Sequence, residues 1–226
     1  HGMSGCKERF MPFMEFMAEQ GVVCVANDHR GHGDSVKTAK DLGYMYEGGQ
    51  EALIDDMRGV TEAIRREYPD IPVFLLGHSM GSLAARVYAR EDDSMLDGMI
   101  LCGSPGYSYL APLGYAISTF LNAIGLGRWR PKLAHRLTSD MYNHDFDSEG
   151  PMAWICSDPQ VCKDYIENPK TGFLFTVNAN KVLMGLMIGA YSSRGPKAGK
   201  KYMPVIFLSG GDDPCTGGTH GLDKAL

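Results

Sequence analysis

Short apolar runs alternate with helix-like stretches along this chain. Four runs have the length and composition of buried parallel strands, and they cover residues 22–26, 73–76, 99–102 and 205–208. Between them, apolar residues recur at helical spacing over residues 7–20, 50–68 and 82–90. This alternation predicts an α/β fold, with a mostly parallel central sheet and helices on both faces.

The alternation breaks between residues 105 and 201, where the sequence is typical of helices and loops. This interval separates two strands that belong in one sheet, so an insertion above the sheet explains it. We call this insertion the cap. The sequence therefore predicts a core in two parts, residues 1–104 and 202–226, with a helical cap of residues 105–201 between them.

Composition places the chain among ordinary globular proteins and excludes some classes of partner. Its 226 residues are 44% hydrophobic and 22% charged, and the net charge of −5 gives no basic surface for a nucleic acid. The six cysteines are sparse and show no C-x-x-C spacing, which argues against a disulfide framework. We expect free thiols in a reducing compartment, the cytoplasm.

The strongest chemical signal is the segment GHSMG, residues 77–81. It follows an apolar run directly and leads into a helical pattern, which is the strand–turn–helix setting of a nucleophile elbow. In such a turn Ser79 takes a strained backbone conformation, and Gly77 and Gly81 leave room for the strand and the helix to approach. The Ser79 hydroxyl is then placed at the carboxyl edge of the sheet.

A nucleophilic serine needs oxyanion donors, an orienting acid and a base. The segment HGMSG, residues 1–5, lies directly before a helix, where backbone N–H groups can face a developing oxyanion. The N–H of Met3 and that of Met80, which follows the nucleophile, form the natural pair. After the fourth apolar run, the loop SGGDDP offers a carboxylate at the same edge of the sheet.

These motifs resemble those of the α/β-hydrolases of the monoacylglycerol lipase and lysophospholipase group, which includes the serine aminopeptidase-like hydrolases. The segments HGMSG, NDHRGHGDS, LLGHSMGS and FLSGGDDP occur in the family's order. The resemblance implies an α/β-hydrolase fold with a helical cap, and it implies Ser79 as the nucleophile with Met3 and Met80 as oxyanion donors. It also implies Asp213 as the catalytic acid, in preference to Asp212, and chemistry without a cofactor or a metal.

The catalytic histidine is the one part of the family pattern that no residue fills. The family order is Ser, Asp, His, with the histidine after a further helix and strand. His220 follows Asp213 by only seven residues, where a helix is expected, so it should not return to Ser79. The other candidates are interpreted as structural or surface residues: His29, His32, His78, His135 and His144. We therefore expect a chain that is truncated at both ends, without its first strands and its catalytic histidine.

The cap bears on the substrate. Residues 98–127 contain no charged side chain, and one stripe at helical spacing consists of Leu110, Leu113, Ile117, Leu121 and Ile124. Packing inside the cap is one explanation of the stripe. The other is a lid surface that lines an acyl pocket and makes transient contact with a membrane surface. A membrane-spanning helix is disfavoured, because prolines and glycines interrupt the segment.

Three functions remain open at this point. The first is a serine ester hydrolase that acts on acyl esters such as monoacylglycerols or lysophospholipids through an acyl-enzyme. The second is a serine aminopeptidase or amidase, which needs an acidic cap residue for the substrate amine: Asp145, Asp147, Glu149 or Asp158. The third is a catalytically silent binding protein. A metal site on His29 and His32 is disfavoured, because their glycine-rich loop has its own place in the family pattern.

Overall fold

The centre of the molecule is a sheet of three parallel strands. The structure, a computed structural model, describes residues 1–132, 136, 142–192 and 202–216. The strands are β1 (Phe74–His78), β2 (Gly98–Cys102) and β3 (Val205–Leu208), in the order β1-β2-β3. In the register, Leu76 lies beside Ile100, and Ile100 lies beside Ile206. Three of the four apolar runs are thus confirmed as neighbouring parallel strands.

The first predicted strand, residues 22–26, is wrong for the part of the chain that the structure describes. These residues have no strand conformation, and the sheet runs from β1 through β2 to β3 without them. Val22, Val23 and Val25 are exposed, the last by 55%. A strand forms only where its backbone groups can pair with a neighbour, and apolar composition does not provide one.

Helices follow the predicted stretches closely. Helix α1 spans Met11–Glu19 after a short 3-10 turn, α2 spans Gly49–Glu67, and α3 spans Met80–Glu91. Helix α3 packs against β1 and β2, and α2 packs against α3. Leu83 and Tyr88 of α3, together with Leu53 and Ile54 of α2, are fully buried and form the centre of the core.

The described residues between β2 and β3 are helical, as the cap pattern predicts. Helix α4 spans Ala111–Leu121, α5 spans Pro159–Glu167 and α6 spans Val177–Tyr191. Helix α6 packs against α4 on one side and against α2 and α3 on the other, and Leu186 belongs to the core cluster. The cap is therefore anchored to the core through α6. None of the helices in the described ranges combines the length and apolar character needed to cross a membrane.

Candidate active site

Ser79 occupies a sharp turn between the end of β1 and the start of α3. Its φ of 53° and ψ of −121° put an L-residue in a strained, positive-φ conformation. The Ser79 N–H donates to the carbonyl of Cys102 at 2.9 Å, which fixes the turn to β2. The strained serine that the elbow motif predicts is therefore present.

The two glycines of the elbow are required by close backbone approaches. A Cβ at Gly77 would lie 2.5 Å from the carbonyl oxygen of Gly81, which is shorter than real Cβ contacts. A Cβ at Gly81 would lie 2.7 Å from the carbonyl oxygen of His1. Gly77 lets the strand and the helix meet, whereas Gly81 lets residues 1–5 approach the helix.

Residues 1–5, which we call the oxyanion loop, lie directly against the Ser79 side chain. A Cβ on Gly2 would lie 3.0 Å from Ser79 Cβ and 3.4 Å from Ser79 Oγ. The carbonyl of Gly2 accepts the Gly5 N–H at 3.2 Å, so the N–H of Met3, on the other side of the same trans peptide, has a fixed direction. Met80 begins α3, where backbone N–H groups have no partner inside the helix.

Asp213 follows β3 and reaches the same edge of the sheet as Ser79. Its carboxylate accepts the Cys215 N–H at 2.9 Å, and its side chain is half-buried, whereas Asp212 is exposed. A Cβ on Gly103, whose φ is 53°, would lie 3.3 Å from Asp213 Oδ2 and 3.6 Å from His78 Nε2. The glycine after β2 thus lies beside both the Asp213 carboxylate and the His78 ring, where a larger side chain would contact them.

Backbone hydrogen bonds across the three strand ends hold this arrangement together. The Ser79 N–H bonds to the last residue of β2, and the Gly103 N–H bonds to the carbonyl of Leu208, the last residue of β3, at 2.8 Å. Because parallel strands end at the same edge, the residues that follow β1 and β3 are brought to one site.

The described histidines show no hydrogen bond to the Ser79 hydroxyl. Burial lowers the pKa of His78 to about 4, and its Nδ1 is buried without a hydrogen-bond partner. Within the described ranges, the hydrogen bonds of histidine rings go to residues other than Ser79. His135 and His220 lie outside the described residues. The base that Ser79 needs is therefore not assigned to any described residue.

A family model described as serine aminopeptidase, S33, matches residues 1–220. The chain belongs to the S33 serine aminopeptidase family.

Curated relatives include the rat monoglyceride lipase, 29% identical over 154 residues, which cover 64% of this chain and 49% of that protein. The monoacylglycerol lipase of Mycolicibacterium smegmatis is 23% identical over 94% of this chain and 68% of that protein. The monoglyceride lipase homolog of Monkeypox virus is 27% identical over 65% of this chain and 53% of its own length. This S33 chain spans about half the length of the first curated relatives it matches.

Solved structures confirm the α/β-hydrolase fold of this S33 chain. A carboxyl esterase from Bacillus coagulans superposes with a TM-score of 0.79 at 22% identity, over 93% of this chain and 79% of that chain. A lipase in an open form gives a TM-score of 0.80 at 22% identity, over 99% and 73%. At these identities the likeness concerns the fold alone.

The glycine-rich loop of the S33 chain, residues 27–35, is built around one buried carboxylate. Asp28 accepts the Lys7 N–H at 2.8 Å, the Lys7 ammonium at 2.6 Å and the Asp34 N–H at 2.9 Å. Burial alone would raise the pKa of Asp28, but these hydrogen bonds lower it below its usual value. The spacing of the motif did not indicate Lys7 as the partner, because only the fold brings residue 7 to this loop.

His32 of the same loop uses both ring nitrogens inside the protein. Its Nε2 lies 3.3 Å from the N–H of Ser4, and its Nδ1 lies 3.1 Å from the carbonyl of Arg30. This pattern assigns the proton to Nδ1, and burial, the largest cause, lowers the pKa of His32 to about 4. Both ring nitrogens of His32 are therefore used in contacts that hold the loop to Ser4 and Arg30.

Two carboxylates of this loop and a third from residue 8 also come together. The side-chain oxygens of Glu8, Asp28 and Asp34 lie within 4.8 Å of one another. The ammonium of Lys7 contacts Asp28 and Asp34, and the ammonium of Lys170 contacts Asp34 and Glu8 at 2.5 and 3.0 Å. Each of the three carboxylates is therefore already paired with at least one of two lysine ammonium groups.

Helix α4 presents the predicted apolar stripe to solvent. Leu110, Leu113, Ile117 and Ile124 are exposed, Leu110 by 71%, and Phe120 adds a further exposed ring. The opposite side of α4 packs on α6, where a Cβ on Gly114 would meet Met184 at 3.4 Å. Packing inside the cap is therefore the wrong explanation for these four residues of the stripe, whereas the fifth, Leu121, is half-buried.

Two polar clefts, of about 660 and 690 Å³, lie on another part of the surface. They share Tyr44, Tyr46, Glu47 and Arg128. Ser79 and Asp213 line neither of them, so these clefts are separate from the elbow.

Proposed function

We propose that this chain carries the nucleophile, the acid and the oxyanion donors of a serine ester hydrolase that acts on monoacylglycerols or lysophospholipids. The observation that carries the proposal is the geometry of Ser79, which is held at positive φ between β1 and α3 with Gly2 packed on its side chain. A serine at positive φ costs free energy, and glycine would form the same turn without that cost. The presence of serine therefore favours a chemical role for its hydroxyl.

In the proposed reaction Ser79 Oγ attacks the acyl carbonyl while a histidine base, outside the described residues, takes the hydroxyl proton. Asp213 orients that histidine and stabilises its charged form. The N–H groups of Met3 and Met80 donate to the oxygen that becomes negative in the tetrahedral intermediate. The histidine then protonates the departing alcohol, and water releases the fatty acid from Ser79 by the reverse sequence.

The substrate class rests on two supports. Curated relatives are named monoglyceride lipase and monoacylglycerol lipase, and a probable lysophospholipase L2 from Haemophilus influenzae is 32% identical over 48% of this chain. The exposed stripe of α4 also favours a substrate with a long acyl chain. A contiguous group of exposed apolar side chains is typical of a surface that contacts apolar ligands or lipid. Transient contact of α4 with a membrane surface is part of the proposal, and so is a cytoplasmic location, which suits six free cysteines.

The amidase alternative finds less support in the cap. Asp158 accepts the Gln160 N–H at 2.8 Å and caps α5, and Asp145 lies beside His144 on the surface. Glu149 is exposed, at the end of a 3-10 segment. These three carboxylates are thus engaged locally or exposed, and the side chain of Asp147 lies outside what the structure describes. An ester is therefore the substrate that we propose, although the family model is described as an aminopeptidase.

Labelling by a fluorophosphonate probe tests this proposal in the full-length protein. We expect one adduct by intact mass, located at Ser79, with hydrolysis of 2-monooleoylglycerol and lysophosphatidylcholine but not of an aminoacyl anilide. Ser79→Ala should remove the adduct and lower kcat by about 10⁴-fold or more. A folded protein that takes no label would support the silent binding protein instead, and preferential cleavage of the anilide would support the aminopeptidase.

A further inference from the structure

Ser4, in the oxyanion loop, has all its polar groups bound to distant parts of the chain. It is buried and has a φ of 52°, an uncommon conformation for serine. Its N–H donates to His32 at 3.3 Å, and its hydroxyl donates to the carbonyl of Phe173 at 2.7 Å. Its own carbonyl accepts the Gly172 N–H at 2.9 Å and the Tyr165 hydroxyl at 3.2 Å.

Three of these four hydrogen bonds come from one short part of the cap, residues 165–173. That segment is closed on itself, because the Thr171 hydroxyl donates to the carbonyl of Tyr165 at 2.5 Å. It is also held to the residues that follow the oxyanion loop. The Arg9 guanidinium lies 4.9 Å from the centre of the Tyr165 ring, and Lys170 pairs with Glu8 at 3.0 Å. The cap segment is therefore joined to Ser4 and again to residues 8 and 9.

Met3 lies immediately before this junction. The Gly5 N–H holds the carbonyl of Gly2, and the bonds of Ser4 hold the next peptide group. The Met3 N–H belongs to the first of these two peptide groups. Its direction therefore depends on the hydrogen bond to Gly2 and, through the backbone dihedrals of Met3, on the hydrogen bonds of Ser4. An oxyanion donor stabilises the transition state only when it is already aimed at the developing charge, and small misplacements of such groups are costly in rate.

We propose that Ser4 and Tyr165 are positioning residues, which use the cap segment 165–173 to fix the direction of the Met3 N–H. This inference rests on the proposed ester hydrolase. It assigns the cap a part in building the oxyanion site, in addition to any role in binding the acyl chain.

The chain offers a matched pair of tyrosines for the test. Tyr165 donates its hydroxyl to the carbonyl of Ser4 and lies under Arg9. Tyr191, at the end of α6, donates its hydroxyl to the carbonyl of Pro105 at 2.8 Å and lies 4.2 Å from Arg86. Tyr165→Phe and Tyr191→Phe therefore remove the same kind of bond and keep the same kind of ring contact. Only the first touches the oxyanion loop.

Kinetics of both variants, in the full-length protein, should separate positioning from folding. With kcat expressed per serine labelled by the fluorophosphonate, Tyr165→Phe should lower kcat about five- to tenfold and leave KM within twofold. The inhibition constant of an alkyl trifluoromethyl ketone, which forms an oxyanion on addition of Ser79, should rise by the same factor. Tyr191→Phe should change neither by more than twofold. Ser4→Gly, which tolerates positive φ but lacks the hydroxyl, should follow Tyr165→Phe.

Hydrogen exchange gives a second readout that needs no activity. The amides of residues 2–5 should exchange at least fivefold faster in Tyr165→Phe and at the unmodified rate in Tyr191→Phe. Equal kinetics and equal exchange in the two tyrosine variants would overturn the inference while leaving the hydrolase intact. If the unmodified protein were inactive, the proposed function would be overturned. Faster exchange of residues 2–5 in Tyr165→Phe would then still show that the cap segment holds the oxyanion loop.

Discussion

The turn around Ser79 and the outer surface of α4 are built in opposite ways. At the turn, glycines stand where two backbone segments are in contact. A Cβ at Gly77 or Gly81 would lie within 2.7 Å of a carbonyl oxygen. On α4, large apolar side chains such as Leu110 and Phe120 stand in solvent with no described neighbour covering them. The first region holds Ser79 in one backbone geometry, whereas the second leaves apolar side chains exposed to solvent.

This difference teaches where substitutions should be felt. Close packing makes the turn intolerant of a single added carbon, because neither backbone can move without distorting the sheet or α3. The α4 surface makes few contacts of its own, so that a polar substitution there should change binding and leave folding nearly unchanged.

The largest expected effect is that of Gly77→Ala. The added Cβ would lie 2.5 Å from the carbonyl oxygen of Gly81 and 2.8 Å from Ser82 Cα, both backbone atoms. We expect the free energy of unfolding to fall by about 3 kcal/mol, measured by urea unfolding, with loss of probe labelling at Ser79.

Gly59→Ala is the matched control for this loss. Gly59 lies within α2, and a Cβ there would meet nothing within 4 Å. Because alanine favours the helix over glycine, this variant should gain roughly 0.5–1 kcal/mol. If Gly77→Ala were as stable as Gly59→Ala, the close approach at the elbow would not be the constraint that we infer.

An effect of similar size is expected on acidification, through His32, which accepts the Ser4 N–H next to the Ser79 turn. The pKa of His32 is lowered from 6.5 to about 4 in the folded protein, so between these values the unfolded chain binds the proton first. Stability is therefore complete above pH 6.5 and is lost as the pH falls towards 4, by on the order of 3 kcal/mol.

Thermal unfolding at fixed ionic strength, from pH 7.5 to 4, measures this dependence. His32→Gln, although less stable at pH 7, should show a flatter profile between pH 6.5 and 4. Residues 98–127, which include α4, contain no Asp, Glu, His, Lys or Arg, so the binding of the α4 surface to vesicles should not follow the same curve between pH 6.5 and 4. An unchanged slope in His32→Gln would contradict the assignment to His32.

The smallest expected effect concerns the α4 surface itself. Ile117 on α4 and Ile166 on α5 are both 51% exposed, so that Ile117→Asp and Ile166→Asp make the same change on two cap helices. Sedimentation with phosphatidylcholine vesicles should show about tenfold weaker binding for Ile117→Asp, since an isoleucine contributes roughly 1.5–3 kcal/mol when it leaves water. Hydrolysis of a soluble short-chain ester should be unchanged in both. Equal vesicle binding by the two variants would remove α4 as the lipid contact.

Sequence reasoning was most successful where neighbours in the chain decide the structure. The runs that became β1, β2 and β3, the glycines of the elbow and the strained Ser79 all depend on a few consecutive residues. Asp213 could be preferred over Asp212 from the motif, and the half-buried position of Asp213 agrees with that choice. The roles of these residues in catalysis remain predictions.

The tertiary structure alone decided which of these local features found partners. Residues 22–26 have the composition of a strand but no pairing in the described sheet, and the stripe of α4 has the spacing of a buried face but lies in solvent. The contact of Ser4 with Tyr165 joins residues 161 positions apart, and that of Lys7 with Asp28 joins segments with no shared motif. Local propensity depends on backbone sterics and spacing, which the sequence carries by itself. Burial and pairing depend on what folds alongside, which only the assembled chain determines.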